Sequence, residues 1–385
     1  MVEAGVEGLR ATEAFHAFSS RTPQYRIARP GGSLSPLRIA TDLAPLPPQL
    51  PGVAWPTTAW EEAPPAGDVD AGRLERAAAG LFTPDASPPP GETLALLVVH
   101  RGRITLERYG RDLGPDATLP SWSMAKSVLH ALVGILVREG RIDPAAPADL
   151  PPWRETSDPR RAITLDHLLR MESGLAFREV YEDRQGSDVI EMLFGRGKDD
   201  VASFAASFPL AHPPGTFHSY SSGDSNLVAW AVKRVLGAGE ATRAFLEKEL
   251  LARIGMRSAK PRFDASGTFI GSSFVFATAR DFARFGLLYL RGGVWEGERL
   301  LSPDWISYAR TPTGAPPCPG DYGAHWWLSL DGSATFSANG FQGQYTVCSP
   351  ERDVVVVRLG VSGPEHRLGL LTRLAEIVRS FPERT

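Results

Sequence analysis

The stretch PSWSMAKSVLHALVGILV, residues 120–137, decides the fold, because a serine and a lysine open a strongly apolar segment there. The apolar residues predict a buried helix. Ser123 and Lys126 would lie on one face of it, since residues three apart are neighbours on a helix surface. The chain has only five lysines beside 36 arginines. Lysine can lose its proton near neutral pH when it is buried, whereas arginine stays protonated.

The spacing therefore predicts a nucleophile and its base. A serine hydroxyl is a poor nucleophile until another group takes its proton, and Lys126 would do this for Ser123. The free backbone N–H groups at the start of the helix would stabilise negative charge. An alternative is a serine that caps the helix and a lysine whose side chain reaches the surface. The spacing alone leaves both interpretations open, although no other Ser-x-x-Lys occurs in the chain.

Two further segments bear on this choice. HSYSSGDSN, residues 218–226, places Tyr220 two positions before Ser222, which makes the only Tyr-x-Ser or Tyr-x-Asn among eight tyrosines. A tyrosine beside a lysine can relay a proton to a leaving group, or it can simply pack at a helix start. SANGFQGQY, residues 337–345, predicts a glycine-rich strand opening. Such an opening can present a backbone N–H to an oxyanion, or it can be an ordinary strand with a turn.

In this order, the three segments resemble the signature motifs of the serine β-lactamase-like superfamily. That superfamily includes penicillin-binding proteins, class C β-lactamases, family VIII carboxylesterases and 6-aminohexanoate-dimer hydrolases. The resemblance covers roughly residues 65–380 and extends to LLRMESGL, TARDFARFG and YGAHWWL. It implies an α+β fold, with an antiparallel β-sheet flanked by helices, an all-helical second domain and an active site in the cleft between them.

The resemblance also implies roles for particular residues. Ser123 would be the nucleophile, Lys126 the base and Tyr220 the proton relay. The backbone N–H groups of Ser123 and Phe341 would form the oxyanion hole. No metal or organic cofactor is needed for this chemistry.

Three departures favour the esterase and linear-amidase branch. Ala338-Asn339-Gly340 stands where β-lactamases and transpeptidases usually carry Lys-Thr-Gly or His-Thr-Gly, so the cation that helps hold a penicillin carboxylate is missing. Ser222 stands where asparagine is common. The chain also shows no obvious counterpart of the deacylating glutamate of class A enzymes. Asn339, Gly340 and Ser222 are candidate substrate-binding residues.

A fourth segment, FREVYEDRQGSD at residues 177–188, adds two more candidates. Glu179 and Tyr181 resemble the loop that closes over the substrate in 6-aminohexanoate-dimer hydrolases and supplies a tyrosine to the amide nitrogen. The alternative is a surface loop with an incidental tyrosine. Several aromatic residues near the motifs could line an apolar cleft or belong to the core: Trp122, Trp326, Trp327, Phe341 and Tyr345.

Composition along the chain predicts three parts. Residues 1–64 would be an extended proline-rich arm, as in APLPPQLPGVAWP. Residues 65–150 and 266–385 would build the α/β-sandwich domain, since TLALLVVHRGRITLERYG predicts a hairpin and GTFIGSSFVF predicts a return to β-structure. Residues 151–265 would form the helical domain.

Other function classes are disfavoured. The net charge of −3 does not suggest nucleic acid as a partner, and no apolar run approaches the length of a membrane span. The N-terminal segment does not read as a secretory signal, which predicts a cytoplasmic location and free thiols at Cys318 and Cys348. No cysteine–histidine cluster has zinc spacing. No Gly-x-Ser-x-Gly elbow supports a Ser–His–Asp hydrolase, and His130 is expected to be a packed helix residue.

The sequence thus predicts a serine hydrolase that cleaves small esters or linear amides through an acyl-enzyme. One alternative is a β-lactamase or D-alanyl peptide hydrolase of the same superfamily. Another is a catalytically silent binding protein on the same fold. The expected partner is a small ester or amide, and the proline-rich arm could support a homodimer.

Overall fold

A six-stranded antiparallel sheet forms the centre of the computed structural model, which describes residues 27–28, 37–83, 85–181, 186–317 and 320–384. Its strands are β1 (Glu92–His100), β2 (Arg103–Tyr109), β3 (Trp327–Leu328), β4 (Phe336–Gly340), β5 (Gln344–Ser349) and β6 (Val354–Val361). Their order across the sheet is β3-β4-β5-β6-β1-β2. The two ends of the chain therefore share one sheet, because β6 pairs directly with β1.

Helices surround this sheet and fill the segment between β2 and β3. They are α1 (Ala71–Leu81), α2 (Ala125–Arg138), α3 (Leu165–Leu169), α4 (Asp188–Phe194), α5 (Val201–Ala206), α6 (Ser222–Leu236), α7 (Glu240–Leu246), α8 (Ala279–Leu290), α9 (Pro303–Ala309) and α10 (Arg367–Arg379). A π-helical turn, Glu247–Leu251, follows α7. The predicted antiparallel sheet flanked by helices is confirmed.

The apolar character of β1 follows from burial on both sides of the sheet. Leu97 and Val99 belong to the core under α8, whereas Leu96 and Val98 belong to the core under α1 and α10. A strand that is covered on one face only would alternate between apolar and polar residues. Because both faces are covered, β1 reads as an unbroken apolar run.

Caps at α6 explain where the Tyr220 segment ends and the helix begins. The Ser221 hydroxyl accepts a hydrogen bond from the backbone N–H of Asp224 at 3.0 Å, which is an N-cap contact. Gly237 ends the helix with φ of 100°, a backbone conformation that favours glycine. The helix itself packs against α3 and α5. The cap and this packing together fix the point at which the chain enters α6.

The predicted β-structure of GTFIGSSFVF is wrong for most of its length. Only Val275–Ala277 is a strand, and it pairs with Leu119–Pro120 and Lys260–Pro261 in a separate small sheet. The preceding residues form turns. The Asn226 side chain accepts a hydrogen bond from the Ser272 backbone N–H at 3.2 Å, so α6 holds this segment away from strand pairing.

The described part of the proline-rich arm lies against the body of the protein. Trp60 is buried and its indole N–H donates to the Arg280 carbonyl at 3.3 Å. Arg284 on α8 donates to the Pro56 carbonyl at 2.6 Å. The rest of the predicted arm, residues 1–26 and 29–36, lies outside the described residues. The three-part division of the chain stays a prediction.

The structure also bears on the predicted free thiols and on the prediction that no segment spans a membrane. Cys348 is a buried free thiol, and Cys318 lies outside the described residues. Within the described parts of the chain, none of the helices combines the length and apolar character that a membrane crossing requires.

Candidate active site

Ser123 lies in a single 3₁₀ turn, Trp122–Met124, that leads directly into α2. Trp122 has a φ of 44°, which is a strained conformation for a side chain of this size. Ser121 anchors the turn, because its hydroxyl accepts from the Val275 backbone N–H at 3.0 Å. Strained backbone that the surroundings hold in place is concentrated at functional sites. Here it presents the half-buried Ser123 side chain at the start of a helix.

Lys126 is buried and points at Ser123, so the alternative of a lysine reaching the surface is wrong. Its side chain is 2% exposed. The ammonium nitrogen Nζ lies 3.1 Å from Ser123 Oγ, 3.0 Å from Ser222 Oγ and 2.9 Å from the Ser272 carbonyl oxygen.

The partners of Lys126 fix the direction of its lone pair. The Ser272 carbonyl can only accept a hydrogen bond. The Ser222 hydroxyl donates its proton to Glu179 Oε1 at 2.6 Å, so its oxygen is also an acceptor toward Lys126. A neutral amine would spend its two N–H groups on these two partners. Its lone pair would then face Ser123, in position to take the hydroxyl proton.

Burial makes such a neutral amine accessible near physiological pH. Desolvation lowers the pKa of Lys126 to about 8, against the opposing effect of the negative charges of Glu179 and Asp224. The pKa of an arginine guanidinium could not be lowered this far. The buried site therefore explains why lysine stands here in a chain that otherwise uses arginine.

Tyr220 lies beside the same pair. The Lys126 Nζ atom is 4.9 Å from the centre of the Tyr220 ring, and the ring packs at 5.4 Å against Trp327. Burial and the charge of Glu179 raise the pKa of Tyr220 well above its usual range, while interaction with the Ser123 side chain lowers it. The phenol is thus protonated at neutral pH and is able to donate a proton.

Glu179 and Tyr181 are also brought to this site. Glu179 accepts from the Ser222 backbone N–H at 2.8 Å and from the Tyr181 hydroxyl at 2.5 Å. Tyr181 is 39% exposed overall, and partial desolvation of its phenol together with the charge of Glu179 raises its pKa, while the nearby Ser123 side chain lowers it. Both phenols therefore lie near enough to Ser123 for its side chain to influence their pKa values. Residues 182–185 of this predicted loop lie outside the described residues.

The third segment meets the Ser123 turn at the end of β4. A Cβ atom added to Gly340 would lie 2.2 Å from the Ser121 carbonyl oxygen, so only glycine allows this approach. Phe341 follows, and its ring lies 5.6 Å from that of Trp122. Ala338 is buried in the core, whereas Asn339 has a buried Oδ1 atom without a partner among the described residues.

Sequence reasoning missed two contributors to the site. The Ser272 carbonyl binds Lys126 through its backbone, so no side-chain pattern could have indicated it. Asp224 is buried in the first turn of α6, and its Oδ1 atom accepts from the Ser173 hydroxyl at 2.8 Å. Burial raises the pKa of Asp224 to about 7, the nearby Ser173 and Ser221 hydroxyls lower it, and the charge of Glu179 raises it further. In the sequence, an acidic residue in the first turn of a helix reads as part of its cap.

The aromatic candidates divide between core and site. Trp326 and Tyr345 are buried in the core, whereas Trp122, Trp327 and Phe341 lie at the site. His130 is fully buried and stacks on Trp305, as expected for a packed helix residue. Among the described residues, no group of three or more His, Cys, Asp or Glu side chains could hold a metal ion.

Comparisons with known proteins agree with this geometry. The sequence matches the family described as Beta-lactamase over residues 90–376. It is 29% identical over 285 residues to a 6-aminohexanoate-dimer hydrolase of Paenarthrobacter ureafaciens, which covers 69% of this chain and 72% of the relative.

Solved structures share the fold. One, from Bacillus anthracis and provisionally named as a 6-aminohexanoate-dimer hydrolase, has a TM-score of 0.66 at 21% identity and covers 86% of this chain and 89% of its own. A family VIII carboxylesterase has a TM-score of 0.61 at 13% identity and covers 82% of this chain and 99% of its own.

Proposed function

Because the chain belongs to the beta-lactamase family and has the fold of these hydrolases, we propose that it is a serine hydrolase that cleaves small esters or linear amides through an acyl-enzyme. The observation that carries this proposal is the buried Lys126 amine. Its partners leave one hydrogen-bonding direction, and that direction faces Ser123. The relative from Paenarthrobacter ureafaciens supports the ester and linear-amide branch.

In the proposed cycle, neutral Lys126 takes the hydroxyl proton of Ser123 as Oγ attacks the substrate carbonyl. The oxyanion lies against the backbone N–H groups of Ser123 and Phe341. Tyr220 donates its proton to the departing alcohol or amine and recovers a proton from the Lys126 ammonium. A water molecule then attacks the acyl-enzyme, gives its proton back through the same groups and releases the acid.

The third segment supports the same branch. Ala338 is buried with 1% of its surface exposed, so it offers neither charge nor hydrogen bond to a carboxylate. Asn339 places a neutral amide at the next position. This arrangement suits an ester or amide without a carboxylate close to the scissile bond better than a penicillin.

Tyr181 provides an argument for linear amides in particular. An amide nitrogen is a poor leaving group until it receives a proton. Tyr181 and Ser222 both donate to Glu179 Oε1. Ser222 also contacts Lys126, so a second phenol lies one carboxylate away from the proposed catalytic pair.

A substrate panel tests the proposed function on the wild-type protein. We expect turnover of p-nitrophenyl butyrate or of the 6-aminohexanoate linear dimer, with kcat/KM at least about 100-fold above that for a chromogenic cephalosporin. The reason is that Ala338 stands where β-lactamases usually carry the cation that helps hold the carboxylate of the drug. Faster turnover of the cephalosporin would instead support a β-lactamase or D-alanyl peptide hydrolase. Absence of turnover on all three, together with no labelling by a fluorophosphonate, would support a silent binding protein.

Substitution of Tyr220 with phenylalanine tests the proton relay. The ring would keep its packing on Trp327 and its place beside Lys126, but the hydroxyl that would donate the proton would be lost. We expect kcat to fall by about 10²–10³-fold for an ester, with less change in KM. Tyr109→Phe, on β2 away from this site, is the matched control. A Tyr220→Phe variant as active as that control would remove Tyr220 from the mechanism.

A further inference from the structure

Exposed aromatic rings are concentrated at one place on this protein. Among the described residues, three aromatic side chains are exposed: Tyr181 and Phe341 at 39% each, and Phe194 at 58%. Single exposed apolar residues are common on protein surfaces, but a contiguous group marks a contact site. All three lie in one run of rings beside the Ser123 turn.

This run, which we call the aromatic band, consists of five rings in sequence: Tyr181, Phe341, Trp122, Phe274 and Phe194. The distances between successive ring centres are 4.8, 5.6, 5.8 and 6.0 Å. Trp122 is the residue directly before Ser123. The band therefore passes the proposed nucleophile and continues away from it along the surface.

Two charged side chains lie near this run. Glu179 lies at the Tyr181 end, where the Tyr181 hydroxyl and Ser222 satisfy its carboxylate. The Arg262 guanidinium lies 5.6 Å from the centre of the Phe276 ring, which is outside the band and stacks on Phe274 at 6.5 Å. The rings of the band themselves offer apolar surface.

We propose that the aromatic band binds an uncharged apolar arm of the substrate, so that the enzyme prefers esters or amides with a medium-length aliphatic or aromatic chain. The inference rests on the proposed hydrolase function. Continuity with Ser123 identifies the occupant: the chain attached to a carbonyl at Ser123 has Trp122 as its immediate neighbour and Phe274 and Phe194 beyond it.

Phe194 and Phe274 are then specificity-determining residues. They lie outside the proposed catalytic groups, since neither contacts Lys126 or Tyr220 among the hydrogen bonds and ring contacts of the described residues. The contribution of these two residues to kcat/KM should depend on the length of the substrate's acyl chain. A two-carbon acyl group is too short to pass Trp122, whereas a longer chain would lose water on Phe274 and Phe194.

The test is a series of p-nitrophenyl esters from acetate to octanoate. For the wild type, we expect kcat/KM to rise about fourfold per methylene up to hexanoate, which matches the transfer of one methylene from water to an apolar surface. For Phe194→Ala, we expect kcat/KM for hexanoate to fall about tenfold, and kcat/KM for acetate to change less than twofold.

Leu368→Ala is the matched control. Leu368 is 59% exposed, close to the exposure of Phe194, but it lies on α10, which covers the opposite face of the sheet from α2. This variant should retain the wild-type chain-length profile. Size-exclusion chromatography of all three proteins completes the experiment.

A flat chain-length profile, or a profile that Phe194→Ala leaves unchanged while acetate hydrolysis still requires Ser123, would overturn the inference but not the proposed function. Acetate hydrolysis that persists without Ser123 would overturn both. A wild-type dimer that Phe194→Ala converts to a monomer, with an unchanged profile, would show that the band is an interface between two copies of this chain and would also overturn the inference.

Discussion

Replacement of Ser123 with alanine is expected to lower kcat/KM for p-nitrophenyl butyrate by about 10⁴-fold or more. The substitution removes the hydroxyl oxygen that the lone pair of Lys126 faces, so no acyl-enzyme could form at this position. The half-buried turn should tolerate alanine, because Ser121 rather than Ser123 anchors it to Val275. The measurement compares steady-state rates, and mass spectrometry of the protein after fluorophosphonate treatment shows whether one adduct forms.

Ser207→Ala is the matched control for this experiment. Ser207 is exposed at the end of α5, and its hydroxyl donates to the Phe204 carbonyl at 2.7 Å. That variant should retain wild-type rates and form the adduct. If Ser123→Ala were labelled and turned over the ester like the control, the nucleophile would be another group, and Lys126 would have to be explained as a structural lysine.

The second large effect is expected at Lys126, in both rate and pH dependence. For the wild type, kcat/KM should rise with pH and reach half its maximum near pH 8, because Lys126 must be neutral to accept a proton and its pKa is lowered to about 8. Tyr220 stays protonated over this range, since its pKa is raised, so no fall should appear below pH 9.5. For Lys126→Arg, kcat/KM should be lower by about 10³-fold or more, and it should no longer depend on pH in this range.

Two further variants make this result interpretable. Lys198→Arg changes an exposed lysine, paired with Asp199, and should show the wild-type profile. Lys126→Met keeps an unbranched side chain of nearly the same length without a charge, so it separates the loss of the base from the cost of a buried guanidinium. Thermal unfolding would show whether each variant is folded. An active Lys126→Arg with the wild-type profile would contradict the assignment of Lys126 as the base.

The buried carboxyl of Asp224 influences the pKa of Lys126. Its negative charge raises the pKa of Lys126, whereas its own pKa is raised to about 7 by burial. The two groups would therefore titrate over neighbouring pH ranges and influence each other. At a pH below about 7, protonation of Asp224 removes a charge that favours the lysine ammonium.

Much of the architecture was present in local sequence patterns. The β1–β2 hairpin, α2, the cap of α6 and the amphipathic α10 each depend on residues that are close together in the chain. The segment before Val275 was misread as a strand, because its apolar residues suggested sheet pairing. The hydrogen bond from Ser272 to Asn226, 46 positions away, holds it in turns instead.

The sequence by itself determined that Ser123 and Lys126 share one helical face, since that relation depends only on a spacing of three residues. It also supplied the candidates Tyr220, Glu179 and Tyr181 by their resemblance to a family. Only the tertiary structure decided that Lys126 is buried and that its remaining partners are the Ser222 hydroxyl and the Ser272 carbonyl. The physical reason is that a pKa depends on desolvation and on neighbouring charges. At Lys126 both come from segments about 50 to 150 residues away, which only folding brings into contact.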